Sequence, residues 1–101
     1  GPIGPYIVTQ EEIKNVQNLN LELKLNGQIM QKGNSQNMIF DVTHLVSYLS
    51  YFMTLKPGDI ITTGTPPGCG IGRKPQKFLK NGDEMNLFID GLGSQKQKVI
   101  Q

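Results

Sequence analysis

Apolar and polar residues alternate without a break along residues 19–25, with leucine at every second position. This period of two is typical of a β-strand that buries one face. Asn26 and Gly27 follow directly, and an Asn-Gly pair favours a two-residue hairpin because both turn positions need positive φ. We therefore predict that residues 28–31 return as the partner strand and that residues 32–37 form a polar loop.

The period changes to that of a helix after Asp41. The apolar residues that recur on one stripe are Val42, Leu45, Val46, Leu49, Phe52 and Met53. The carboxylate of Asp41 can accept the free backbone N–H groups of a first turn, so the pattern predicts one main helix over about residues 42–53. A capping box from Thr9 to Glu12 predicts a further helical turn around residues 11–15.

Glycine-containing turns divide the remainder of the chain into short apolar runs. Turns at residues 56–59, 80–83 and 91–93 separate predicted strands at residues 60–63, 85–90 and 97–101. Together these elements predict an α+β domain, mostly β, with a single domain over residues 1–101. Gly1 and Pro2 are interpreted either as native residues or as the scar of a cleaved tag.

Composition narrows the class of protein. The net charge is +2, and the lysines are scattered along the sequence with no aromatic residues interleaved among them, which argues against a nucleic-acid partner. Cys69 is the only cysteine, so we expect no intrachain disulfide and a reducing compartment. No apolar run approaches the length of a membrane span and no signal-peptide pattern opens the chain. We expect no membrane partner and an intracellular location, cytoplasmic or mitochondrial.

Few ionisable residues suggest chemistry by themselves. The adjacent Glu11 and Glu12 would diverge by about 100° on a helix, so they would not chelate one metal ion. Asp59 and Asp83 each follow a turn glycine, where a carboxylate usually caps local N–H groups. The only histidine, His44, is interpreted as a solvent-facing helix residue rather than a general base. The sequence therefore predicts no metal site within this chain.

The segment from Gly68 to Lys74 has glycines and a lysine but lacks the spacing of a phosphate-binding loop. Cys69, between two glycines, is interpreted as a small residue in a tight loop because no histidine pattern supports a nucleophile. The preceding residues, in "IITTGTPPGCG", combine permissive glycines, stiff prolines and hydroxyls. Such a loop can be a rigid connector or can hold a carboxylate or enolate oxygen, and composition leaves both open.

Several motifs resemble one known family in order and spacing. They are "GPYIVTQEEI", "LKLNGQIMQ", "NMIFDVTHLVSYLS", "TLKPGDIITTGTPPGCG" and "KFLKNGDEMNLFIDGLG". The chain resembles the C-terminal half of the catalytic domain in the small members of the fumarylacetoacetate hydrolase family. Those members are hydrolases, decarboxylases and isomerases acting on 2-oxo and β-diketo acids.

The resemblance implies part of a mixed β-roll that usually assembles as a homodimer. It also implies Mg²⁺ or Mn²⁺ in the full family domain, where the ion chelates the substrate and polarises its 2-oxo group. Thr65 would then donate a hydrogen bond to the substrate carboxylate, with Gly64 and Pro66 shaping the wall of the pocket. Gln31 matches a family position that points into the same pocket.

The family's metal ligands, its catalytic lysine and the His–Glu pair of its lid have no counterpart in this chain, and His44 does not match the lid histidine. The resemblance thus implies no catalytic or metal-binding residue here and no metal bound by this chain alone. We expect the isolated chain to be inactive. Either the catalytic half lies elsewhere, or the chain is a truncated paralogue or folding fragment that serves as a structural module. In both cases we expect a homo-oligomer or a missing N-terminal half as partner.

Overall fold

A computed structural model of the chain describes residues 1–100. Four antiparallel strands form one sheet in the order β2-β1-β3-β4. The strands are β1 (Asn20–Leu25), β2 (Gln28–Asn34), β3 (Glu84–Ile89) and β4 (Gly93–Lys98), with one α-helix, α1 (Val42–Ser50). This confirms the predicted α+β class, mostly β. The connection between β2 and β3 carries the helix and the glycine-rich loop.

The predicted hairpin of β1 and β2 is present. Asn26 has φ 50° and Gly27 has φ 81°, the positive values that the turn requires. The Asn26 side chain also accepts from the Glu84 backbone N–H at 2.9 Å and donates to Asp83 at 2.8 Å, which joins the hairpin to β3. β2 extends through Asn34, beyond the predicted end at residue 31, because Asn34 pairs with Asn20. The expected loop at residues 32–37 is therefore strand followed by the 3₁₀ turn Ser35–Asn37.

The helix is shorter than predicted. Asp41 caps it as expected, since its carboxylate accepts from the His44 backbone N–H at 2.6 Å. Tyr51 is the C-cap residue, and α1 ends at Ser50 and not at the predicted residue 53. The N–H groups of Tyr51 and Phe52 bond three residues back, to the carbonyl groups of Tyr48 and Leu49, and this tighter pattern ends the α-helix. The helical turn predicted around residues 11–15 is instead the 3₁₀ segment Gln10–Glu12, because Ile13 is already extended, with φ −105° and ψ 104°. The Glu12 carboxylate accepts from the Thr9 N–H at 3.4 Å.

Two predicted strands need correction. Residues 60–63 are not a strand, because no segment of residues 1–100 pairs with them. The final strand lies at Gly93–Lys98 and not at residues 97–101, since the turn at residues 90–92 lets Gly93 pair at once with Ile89. The predicted end at Gln101 lies outside the described residues. The predicted strand at residues 85–90 is confirmed as β3, shifted by one residue.

The described residues bury little apolar surface. Leu25 and Met30 alone are buried among the apolar side chains of this part of the chain, at 5% and 8% exposure. Ile39 is 93% exposed and Tyr51 is 83% exposed. The chain exposes 8239 Å², whereas a folded monomer of this mass exposes about 5,700 Å². The excess is about 2,500 Å². No helix in residues 1–100 is long and apolar enough to cross a membrane.

Candidate functional site

The glycine-rich loop at residues 63–70 lies against β2. A Cβ atom on Gly33 of β2 would come within 2.8 Å of Pro66 Cβ, and one on Gly68 would overlap the carbonyl oxygen of Met30. The absence of these two Cβ atoms therefore allows the loop backbone to contact the strand directly. Gly64, with φ 91°, adopts the left-handed conformation that turns the chain into this contact.

Gln31 joins the strand to the loop. Its Nε2 donates to Thr65 Oγ1 at 2.9 Å and to the Pro66 carbonyl oxygen at 2.7 Å, and lies 3.6 Å from Cys69 Sγ. An amide nitrogen carries two hydrogens, so the two oxygen contacts can use both of them. Because Thr65 Oγ1 accepts from Gln31, the Thr65 hydroxyl proton is free to point away from the protein. Thr65 is exposed and Gln31 is half-buried.

The sequence-predicted residues thus lie at one place. Gln31, Thr65 and Pro66 are in direct contact, and Gly64 is next to them in the chain. Cys69, which the sequence predicts to be a small loop residue, also contacts the Gln31 amide. His44 is exposed on α1, as expected, and stacks on Phe40 with ring centroids 4.8 Å apart.

The loop offers hydrogen-bond donors and no carboxylate. Among the described residues, no backbone N–H from residue 60 to residue 71 donates to another protein group. Free N–H groups beside a hydroxyl suit an anion or the carbonyl groups of another polypeptide segment. The loop therefore combines open donors with a rigid attachment to the sheet.

Arg73 is a contact residue that the sequence interpretation missed. Its Nη2 donates to the Met30 carbonyl oxygen at 2.7 Å, and its Nε donates to the Gly68 carbonyl oxygen at 3.2 Å. Both contacts are partly buried. The sequence of residues 68–74 indicates only an incomplete phosphate-binding loop, and no sequence pattern identifies the carbonyl groups that a distant arginine will reach.

The carboxylates occupy other parts of the structure. Asp59 accepts from the Lys56 backbone N–H at 2.7 Å, and Asp83 accepts from the Lys80 N–H at 2.8 Å, which confirms their predicted capping. The side-chain hydrogen bond from Asn26 and then the Lys80 N–H lower the pKa of Asp83. Within residues 1–100, no three His, Cys, Asp or Glu side chains lie together as a metal site would need.

Comparison with known proteins identifies the family. The sequence matches the family described as fumarylacetoacetate (FAA) hydrolase C-terminal over residues 1–100. The chain belongs to the fumarylacetoacetate hydrolase family. This confirms the resemblance carried by the sequence motifs.

Members of the fumarylacetoacetate hydrolase family match the chain closely. It is 52% identical to a 2,4-didehydro-3-deoxy-L-rhamnonate hydrolase from Sphingomonas sp., covering 99% of this chain and 35% of that relative. The fumarylacetoacetate hydrolase structure from Exiguobacterium antarcticum has TM-score 0.94 and 37% identity, over 98% of this chain and 35% of that one.

A third match carries a ligand. The structure of maleylpyruvate hydrolase from Sphingobium sp. SYK-6 in complex with manganese(II) ion and pyruvate has TM-score 0.89 and 33% identity. The match covers 99% of this chain and 35% of that one. A divalent metal thus occurs in the family. The chain spans about a third of the length of each of these three relatives.

Proposed function

We propose that β2 and residues 63–70 form the substrate-carboxylate wall of a divalent-metal-dependent enzyme. This enzyme would cleave, decarboxylate or isomerise 2-oxo or β-diketo acids. The contact of Gln31 Nε2 with Thr65 Oγ1 at 2.9 Å carries the proposal, because it joins two motifs 34 residues apart into one polar surface. A family relative in complex with manganese and pyruvate, a 2-oxo acid, supports the substrate class.

Thr65 would bind the carboxylate through its hydroxyl. The Gln31 amide donates a hydrogen bond to Thr65 Oγ1, so the Thr65 hydroxyl proton remains available to donate to the substrate. A hydrogen bond to a charged acceptor is stronger than one between neutral groups, which favours an anion at this position. Gly64 and Pro66 flank Thr65 and would leave room for the substrate beside the backbone.

The metal, Mg²⁺ or Mn²⁺, would be held by residues outside this chain, because residues 1–100 contain no group of three ligands. When bound, such an ion polarises a 2-oxo group. The contribution of this chain would be to bind and orient the carboxylate end of the substrate. In this proposal, residues 1–101 form the C-terminal part of a larger catalytic domain.

The exposed apolar surface would be covered by another polypeptide. The chain exposes about 2,500 Å² more than a monomer of its mass, and a specific protein interface buries about 1,200–2,000 Å² in total. The excess is therefore large enough for a stable interface. We propose that the covering partner is either the segment that corresponds to the remaining length of the relatives or a second copy of this chain.

A second candidate function is that of a non-catalytic structural module. The lack of a three-ligand metal group in residues 1–100 favours it, since a truncated paralogue could keep the fold for assembly alone. The two candidates differ in whether the loop at residues 63–70 acts on a substrate.

A chimera distinguishes them. The matching segment of the Sphingomonas hydrolase is replaced by this chain, and hydrolysis of that enzyme's substrate is measured with Mg²⁺ or Mn²⁺. We expect an active chimera in which Thr65→Val lowers kcat/KM about 10- to 100-fold, the loss of one hydrogen bond to a charged group. Thr43→Val, on the exposed side of α1, is the matched control and should leave the rate unchanged.

The opposite results are equally informative. A folded but inactive chimera would support the structural module. An active chimera that is indifferent to Thr65→Val would exclude the carboxylate wall. Turnover by the 101-residue chain alone with metal would contradict the proposal that the metal ligands lie outside it.

A further inference from the structure

The Arg73 guanidinium bridges two backbone segments. Nη2 reaches the Met30 carbonyl of β2, and Nε reaches the Gly68 carbonyl of the loop. The planar guanidinium holds its N–H donors in a fixed fork, so one side chain can fix the distance between two acceptors. The ion pairs within residues 1–100 do not include Arg73. The hydrogen bonds of its guanidinium go to these two carbonyl groups.

Both carbonyl groups lie next to the candidate site. Met30 immediately precedes Gln31, and Gly68 immediately precedes Cys69. The Arg73 contacts and the Gln31 contacts are thus adjacent ties between the same two segments. The Gln31 amide can reach Thr65 Oγ1 and the Pro66 carbonyl only while the loop stays on β2.

A short closed loop holds Arg73 in place. The Lys77 N–H donates to the Gly70 carbonyl at 3.0 Å, and the Arg73 N–H donates to the same oxygen at 3.3 Å. The Gln76 side chain closes the loop further by donating to the Ile71 carbonyl at 3.2 Å. A Cβ atom on Gly70 would overlap the Lys77 carbonyl, so this closure depends on glycine. Arg73 therefore extends from an ordered base toward β2.

We propose that Arg73 is a positioning residue for the substrate wall, acting through Gln31 and Thr65 and not by contact with substrate. It fixes the loop at residues 63–70 against β2 and so keeps the Thr65 hydroxyl at the site. That the loop faces a substrate rests on the function proposed above, whereas the contact between the loop and β2 does not. Lysine cannot replace the fork, because one ammonium group is a point donor without the planar geometry.

The tie can be measured in the 101-residue chain by NMR. The readouts are the hydrogen exchange of the Gln31 side-chain amide and its NOE to the Thr65 methyl group. We expect Arg73→Met to abolish the NOE and to speed the amide exchange about 10- to 100-fold, as loss of a charge-assisted hydrogen bond predicts. Arg73→Lys should restore only part of the protection. Lys74→Met, at the exposed neighbouring residue, should leave both readouts unchanged.

Several results would contradict the proposed role of Arg73 in holding the loop on β2. They are an unchanged NOE in folded Arg73→Met, full protection in Arg73→Lys, or resonance changes that spread evenly into β3 and β4. If Arg73→Met does not fold, the Arg73→Lys comparison decides. The same variants in the chimera separate the two proposals. Loss of the NOE with unchanged kcat/KM would leave the tie standing and exclude the proposed substrate wall.

Discussion

Gly68→Ala tests whether the loop at residues 63–70 is packed on β2. Gly68 has φ 116°, a conformation that costs alanine about 1–3 kcal/mol. The new methyl group would also overlap the Met30 carbonyl and lie 3.2 Å from Gln31 Cγ. Since β2 is paired with β1 at Ile29 and at Gln31, on both sides of Met30, we expect the loop to move away.

The magnitude follows from the contacts that the movement breaks. Separation of the loop from β2 removes the Arg73 bond to Met30, about 1.5–3 kcal/mol, and the Gln31 bond to Pro66, about 0.5–1.5 kcal/mol. Release of the loop relieves the φ strain, so the strain and contact terms do not add. We therefore expect a loss of about 3 kcal/mol in the free energy of unfolding.

Two other glycines provide matched controls. Gly58 has φ 96° and no atom near its absent Cβ. Gly58→Ala should therefore lower the free energy of unfolding only by the backbone strain, about 1–3 kcal/mol. Gly72 has neither positive φ nor a near neighbour, so Gly72→Ala should stay within about 0.5 kcal/mol of the native chain. The assay is urea unfolding followed by far-UV circular dichroism. If Gly68→Ala stays, like Gly72→Ala, within about 0.5 kcal/mol of the native chain, the packing of the loop on β2 is refuted.

Two further predictions concern the capping carboxylates. Asp41→Ala removes the bond to the His44 N–H and should destabilise α1 by about 1 kcal/mol, measured as reduced ellipticity at 222 nm, while Asp41→Asn should retain most of the stability. Hydrogen bonds from Asn26 and then Lys80 hold the pKa of Asp83 below its ordinary 3.8, so its stabilisation is present above that value and is lost as pH falls through the lowered pKa. Acid unfolding of Asp83→Asn should therefore depend less steeply on pH below 3.8 than that of the native chain, and equal slopes would contradict this role.

Local chemistry explains the elements that were predicted well. The Asn26–Gly27 turn forms because the two residues accept positive φ, whatever surrounds them. Asp41 begins α1 because its carboxylate satisfies a backbone N–H three residues away. The helix ends early, at Ser50, where the apolar stripe alone gave no stop signal. Phe52 and Met53 continue the stripe and yet lie beyond the helix.

Strand pairing could not be predicted from local sequence in the same way. β4 has the sequence GSQKQK, which carries no apolar alternation, and it forms because a tight turn presents its backbone to β3. Residues 60–63 have the apolar, β-branched composition of a strand and remain unpaired among residues 1–100. A strand exists only with a partner for its backbone groups, and composition does not supply that partner.

Sequence motifs were enough to predict the family, the first hairpin, the start of the helix and the candidate residues Gln31 and Thr65. The contact of the Gln31 amide with Thr65 Oγ1 at 2.9 Å and the bond from Arg73 to β2 follow only from the three-dimensional arrangement. The difference lies in the separation of the interacting groups along the chain. Turns and caps satisfy backbone groups within a few residues, whereas these contacts join segments 34 and 43 residues apart and depend on where the sheet places its carbonyl groups.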